Sequence, residues 1–153
     1  MLELPHTLIG AAIGAKIGSP LLALPLSLAS HFIVDLVPHW NPSLYTETKK
    51  YGRPSIRSTV IIVFDVILSL IFGFGIASLF LPDYTKAIVI ILTAFLAVLP
   101  DVIEGFYFYL KVEWKWLIKL IEFQHSHQGK AGLVVGSLTQ LVTILLVLHI
   151  LLS

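Results

Sequence analysis

Ile56-Arg57-Ser58-Thr59-Val60-Ile61-Ile62-Val63-Phe64-Asp65-Val66-Ile67-Leu68-Ser69-Leu70-Ile71-Phe72-Gly73-Phe74-Gly75-Ile76-Ala77-Ser78-Leu79-Phe80-Leu81 carries one charge, Asp65, beyond Arg57. As a helix it exceeds the ~20 residues needed to cross a ~30 Å hydrocarbon core. Four further apolar blocks flank it, at about 2–18, 20–38, 84–100 and 131–152. The pattern predicts an all-α integral membrane bundle of about five transmembrane helices, forming a single membrane domain over residues 1–153.

Composition agrees. Of 153 residues, 57% are hydrophobic and 12% charged, and mean hydropathy is +0.93. A soluble domain carries about 25% charged residues, so an ordinary cytosolic enzyme and a nucleic-acid-binding module are both excluded. Net charge is only +1, which gives no pull toward an anionic polymer. Cysteine is absent, leaving imidazole and carboxylate as the available metal ligands. Met1 to His6 has no basic n-region, so the first block reads as part of the mature protein.

The remaining features organise the blocks. Gly10, Gly14 and Gly18 place small residues on one helix face, open either to packing within the chain or to a homodimer. The first block is marginal for a full crossing, and a re-entrant segment is the alternative. Residues 41–54 read as a polar loop, and Pro100 as the end of the fourth block. Gly105-Phe106-Tyr107-Phe108-Tyr109 is an aromatic cluster of interfacial type. Residues 111–123 then form an amphipathic interfacial helix, with Lys111, Lys115, Lys119 and Glu122 opposite Trp114, Leu117, Ile118 and Ile121. Eight of the ten basic residues fall in 40–57 and 101–130, leaving Lys16 and Lys86 on the other side. The positive-inside rule makes the basic side cytoplasmic.

Nine chemically active residues gather on that side: His6, His31, Asp35, His39, Asp65, Asp101, Glu104, His125 and His127. His149 stands apart and reads as a side chain without a role. His31, Asp35 and His39 recur at i, i+4, i+8, near one helix face, where an imidazole and a carboxylate can grip one cation. A structural His–Asp hydrogen bond is the alternative. Ionisable groups within a span are costly and by default functional, which singles out Asp65. His6, His31, Asp35, His39, Asp65 and Asp101 are the expected metal ligands. Glu104, His125 and His127 are the expected acid/base groups, the two histidines converging only if their stretch is a loop. Imidazole and carboxylate without thiolate suit Zn²⁺ first, Mn²⁺ or Fe²⁺ next, as one ion or two. Such a centre acidifies bound water and clamps a phosphoryl group.

Pro5-His6-Thr7-Leu8-Ile9-Gly10-Ala11-Ala12-Ile13-Gly14 and Ser30-His31-Phe32-Ile33-Val34-Asp35-Leu36-Val37-Pro38-His39-Trp40 resemble small bacterial inner-membrane proteins classed as membrane-bound metal-dependent hydrolases. The counterparts of that family's Pro-Asp-x-Asp-His and His-Arg-Gly-x-Thr-His-Ser stretches are Pro100-Asp101-Val102-Ile103-Glu104 and His125-Ser126-His127-Gln128-Gly129. The His31-x-x-x-Asp35 step is also similar to helical ligand pairs of zinc-dependent phospholipases C. The resemblance implies a multi-pass inner-membrane protein that binds metal. The expected function is hydrolysis of a phosphoester, on a membrane lipid or lipid-linked substrate, at the cytoplasmic leaflet. A non-enzymatic assembly protein is the alternative, and an ion or metal transporter a third reading.

Overall fold

The computed structural model describes residues 1–153 apart from the side chain of Leu152, and these residues form seven helices. They are α1 (Glu3–Lys16), α2 (Pro20–Val34), α3 (Leu44–Tyr51), α4 (Ile56–Ser78), α5 (Tyr84–Leu110), α6 (Lys115–His127) and α7 (Leu133–Leu152). The all-helical expectation holds. Three helices, α4, α5 and α7, are long and apolar enough to cross a membrane. The expected count of five is not carried by helix length: α1 and α2 have 14 and 15 residues, about 21 and 22 Å at 1.5 Å per residue.

α1 is the centre of the bundle, packed against α2, α4, α5 and α7. Its small residues make this possible. A Cβ on Gly10 would sit 2.5 Å from the Thr93 carbonyl oxygen and 2.8 Å from Ala94 Cα. Gly14 likewise faces Ile90 and Thr93 of α5. The glycine face expected to serve packing or a homodimer is thus filled by α5 of the same chain. Gly18 lies beyond the helix and meets nothing within 4 Å. Around this contact Leu8, Ala11, Ile76, Ala87, Ile90, Ala94 and Val147 form the apolar core. α2, α4 and α7 turn Leu21, Phe64, Leu70, Leu138 and Leu145 outward, exposed as lipid-facing residues are.

Several boundaries differ from expectation. Residues 44–51 form α3 rather than loop; Gly52, at φ 73°, closes it in the left-handed conformation. Pro100 does not end the fourth block: α5 runs on to Leu110, carrying the aromatic cluster with it. A proline inside a helix removes one backbone bond, here the one to the Leu96 carbonyl, and membrane helices tolerate this where other helices pack around them. α2 is held along this stretch of α5 by Ser27 Oγ, which donates to the Thr93 carbonyl, and His31 Nδ1, which donates to the Ala97 carbonyl. The expected amphipathic helix is present as α6, displaced to 115–127, with Leu117 and Ile121 buried against Phe108. His125 and His127 consequently lie in its last turn, not in a loop.

Candidate metal centre

α2 and α5 run parallel at a constant offset: Ser27 meets Thr93 and His31 meets Ala97. The same offset brings Asp35 level with Asp101. Antiparallel α1 inserts its first turns between them, so His6 stacks on His31 with ring centroids 4.3 Å apart. Three helices therefore deliver imidazole and carboxylate to one point.

His31 is fully buried. A carbonyl oxygen only accepts, so the 2.8 Å contact with Ala97 makes His31 Nδ1 the donor and holds the ring with Nε2 turned the other way. That Nε2 has no hydrogen-bond partner among the described residues. It faces two carboxylates, 3.7 Å from Asp35 Oδ2 and 3.6 Å from Asp101 Oδ1. These separations are too long for hydrogen bonds. Two carboxylates drawn to one ring nitrogen call for positive charge among them: the Met1 ammonium contacts Asp35, and a metal ion shared with Asp101 would supply it at Nε2. The separations are close to the roughly 3.3 Å between donors that share a tetrahedral ion at ~2 Å. Fixing the other ring nitrogen on a backbone carbonyl is also how metal-ligating histidines are oriented.

Donor atoms of His6, His31 and Asp101 lie within 4.8 Å of one another. Asp35 joins them, 3.1 Å from His6 Nε2, and also contacts the Met1 amino group. Asp35 caps α2 rather than continuing it, and His39 lies past a turn instead of one helical turn on. The expected i, i+4, i+8 face therefore ends at Asp35, yet His39 Nε2 still comes within 3.9 Å of Asp35 Oδ1. The turn is held by the 128–131 segment: Gly129 N–H donates to the Asp35 carbonyl at 2.6 Å, and His39 pairs with Lys130 as an isolated bridge. Only glycine fits at 129, where a Cβ would lie 2.5 Å from the Leu36 carbonyl oxygen. His39 donates from Nδ1 to the Val37 carbonyl, and Asn41 Nδ2 donates to its Nε2. Burial, with the Met1 ammonium second, pushes the His39 imidazole below its ordinary value, so it stays neutral.

Asp65 is placed differently from the other expected ligands. Its carboxylate accepts the Glu3 N–H at 2.5 Å and the Leu4 N–H at 3.4 Å, closing the free N-terminus of α1. It stands beside the His6–His31–Asp101 group without belonging to it. Glu104 lies one turn beyond Asp101, and Gln124 Nε2 donates to both, at 2.7 and 3.3 Å. A cavity of about 470 Å³ opens here, lined by Asp35, His39, Asp101, Glu104, His125 and Lys130 among others. His125 stacks on Tyr45 and lies 3.3 Å from Lys130 Nζ; slight burial and that ammonium lower its affinity for a proton. His127 is exposed, faces the Phe123 carbonyl and Ser126 hydroxyl, and is not part of the cavity wall. His149 is exposed on α7.

Sequence reasoning missed Gln124, Gln140 and the Met1 amino group. Gln124 had a signal: it follows Leu117 and Ile121 on the buried stripe of α6, where a polar residue needs a partner. Gln140 accepts the Leu2 N–H at 2.8 Å and donates to the Trp40 carbonyl at 2.9 Å, tying α7 to the chain on either side of the centre. Comparison with family models, curated proteins and solved structures gives no match for this chain.

Proposed function

We propose that this protein is a membrane-embedded, metal-dependent hydrolase that cleaves a phosphoester of a lipid or lipid-linked substrate at the cytoplasmic leaflet. The observation that carries the reading is His31 Nε2: buried, without a hydrogen-bond partner, held in place through Nδ1 on the Ala97 carbonyl, and facing Asp35 and Asp101. His6, His31, Asp35 and Asp101 would hold the metal, zinc by preference, with His39 at the edge of the set. When bound, the ion supplies Lewis acidity to the phosphoryl oxygens and acidifies a water.

The chain's own residues supply the rest. Asp35 and Asp101 present the centre to the cavity, while His6 and His31 close it from behind. Glu104 stands on the wall one turn from Asp101, oriented by Gln124, in a position to take the proton of the attacking water. Lys130 gives the cavity a positive group for an anionic substrate. The level suits a headgroup. Counting ~20 residues across the hydrocarbon from Tyr84 places the boundary near Glu104. The exposed Trp114 and Trp116 at the start of α6 fit an interfacial position. The excess of Lys and Arg on this side assigns it to the cytoplasm.

Elemental mass spectrometry on detergent-purified protein tests the reading, with wild type beside His31→Ala and Asp101→Ala, and His127→Ala as control. The expected result is one or two equivalents of zinc, manganese or iron in wild type and His127→Ala, lost in the other two. Phosphoesterase activity on lipid substrates is expected to follow the metal. Wild type that stays metal-free after reconstitution, or full metal in His31→Ala, overturns it.

A further inference from the structure

A second cavity, about 320 Å³, lies between α4 and α5 with Thr7 of α1 at its floor. Its walls are almost wholly apolar, among them Leu70, Phe74, Leu92 and Phe95. All four of these side chains are exposed, so the groove opens sideways into the lipid. It stays open because Gly73 and Ala94 put little bulk into it; a Cβ on Gly73 would already stand 3.2 Å from Thr7 Cγ2. The groove does not end blindly. Glu3, Val66 and Val102 line both it and the polar cavity beside the metal centre. At that junction Glu3 Oε2 is buried without a hydrogen-bond partner among the described residues, an acceptor open to a hydroxyl group.

Its length is informative. From Val102 to Leu92 along α5 the groove runs about 15 Å at 1.5 Å per residue, which is one leaflet of a ~30 Å hydrocarbon core. We infer that the groove holds one hydrocarbon chain of the bilayer lipid whose headgroup phosphoester occupies the polar cavity. This rests on the phosphoesterase reading and narrows it: the substrate is a chain-bearing lipid drawn laterally from its own leaflet, not a soluble phosphoester. The continuity of the two cavities through three shared residues, and the fit to one leaflet, favour this occupant over a partner helix.

The test uses phosphatidic acid carrying a mid-chain photoactivatable group, in phosphatidylcholine vesicles containing the full chain. Crosslinked peptides are mapped, and metal is measured on the same samples. Every outward face meets bulk lipid, so Val134, Leu138 and Leu145 of α7 provide the background. Labelling of the Leu70–Phe74 and Leu92–Phe95 segments is expected to exceed that of α7 severalfold. Leu70→Trp and Leu92→Trp fill the groove from its two exposed walls. Each is expected to return groove labelling to the α7 level with metal content unchanged. Equal labelling of groove and α7 in wild type, or labelling that survives both substitutions, overturns the proposal. Enriched labelling of metal-free protein supports the groove and removes the hydrolase reading alone; uniform labelling of metal-loaded protein does the reverse.

Discussion

Replacing Gly10 with alanine adds one methyl group where α1 lies directly against the backbone of α5. The new Cβ would stand 2.5 Å from the Thr93 carbonyl oxygen and 2.8 Å from both Ala94 Cα and Ala97 Cβ. Carbon contacts settle at about 3.5–4.0 Å, so α1 and α5 must part by roughly 1 Å at this level. No rotation relieves the clash, because the opposing atoms are backbone or Cβ. Overpacking of this kind costs about 1–3 kcal/mol. His6 lies one turn before Gly10 on the same helix face, so a displaced α1 also withdraws its imidazole from Asp35 and Asp101. Loosening an orienting element costs a metal site about 10–100-fold in affinity. The assays are thermal unfolding in detergent and competition titration with zinc. Gly75→Ala is the control: nothing lies within 4 Å of its Cβ position, and removing a mid-helix glycine is neutral or stabilising by about 0.5–1 kcal/mol. If Gly10→Ala melts with wild type and Gly75→Ala, the close α1–α5 contact is refuted. If it melts lower yet binds zinc equally well, the coupling of that contact to His6 fails.

Asp65→Ala removes the acceptor for two α1 amides and should cost about 1–2 kcal/mol, as loss of a helix N-cap does; Asp65→Asn keeps an acceptor oxygen and should recover most of it. Equal melting temperatures for wild type and Asp65→Ala would show that α1 needs no such cap. Glu47 joins α3 to the start of α4, accepting from the Ser55 N–H at 2.7 Å and the Ser58 hydroxyl at 2.8 Å. Slight desolvation works the other way, but these bonds and one from the Ser55 hydroxyl hold its pKa below the ordinary 4.5. Its contribution is therefore complete above pH 4.5 and is lost as pH falls through the depressed value. Exchange protection of α3 amides, corrected for intrinsic rates, should drop there in wild type and be low and flat in Glu47→Gln. An α3 equally protected in both proteins throughout would remove Glu47 from this role.

The apolar blocks and the basic residues between them were legible because hydropathy is local: each segment is apolar whatever its neighbours do. Pro100 misled for the same reason. Read alone it ends a helix, whereas in the bundle α5 continues through it to Leu110, packed against α1 and α2. Residues 44–51 looked like loop because α3 has few apolar residues; Leu44 and Tyr45 pack on α5 and α6, and Gly52 closes the last turn. The glycine spacing announced a close contact but not its partner. That partner is α5, since only packing brings Thr93 and Ala94 opposite Gly10.

The sequence by itself determined an all-helical membrane protein and a set of histidines and carboxylates, because composition and periodicity reside in the chain. Of the nine expected site residues, the structure groups His6, His31 and Asp101, sets Asp35 against both histidines, and brings His39 within 3.9 Å of Asp35. Glu104 and His125 line the cavity beside them, Asp65 closes the start of α1, and His127 lies outside. Spacing alone could not make these distinctions. Which residues share a point depends on the offset between parallel α2 and α5 and on how far α1 slides between them. That is set by close packing of Gly10 and Gly14 against α5 and by the Asp65 cap, contacts between residues far apart in the chain.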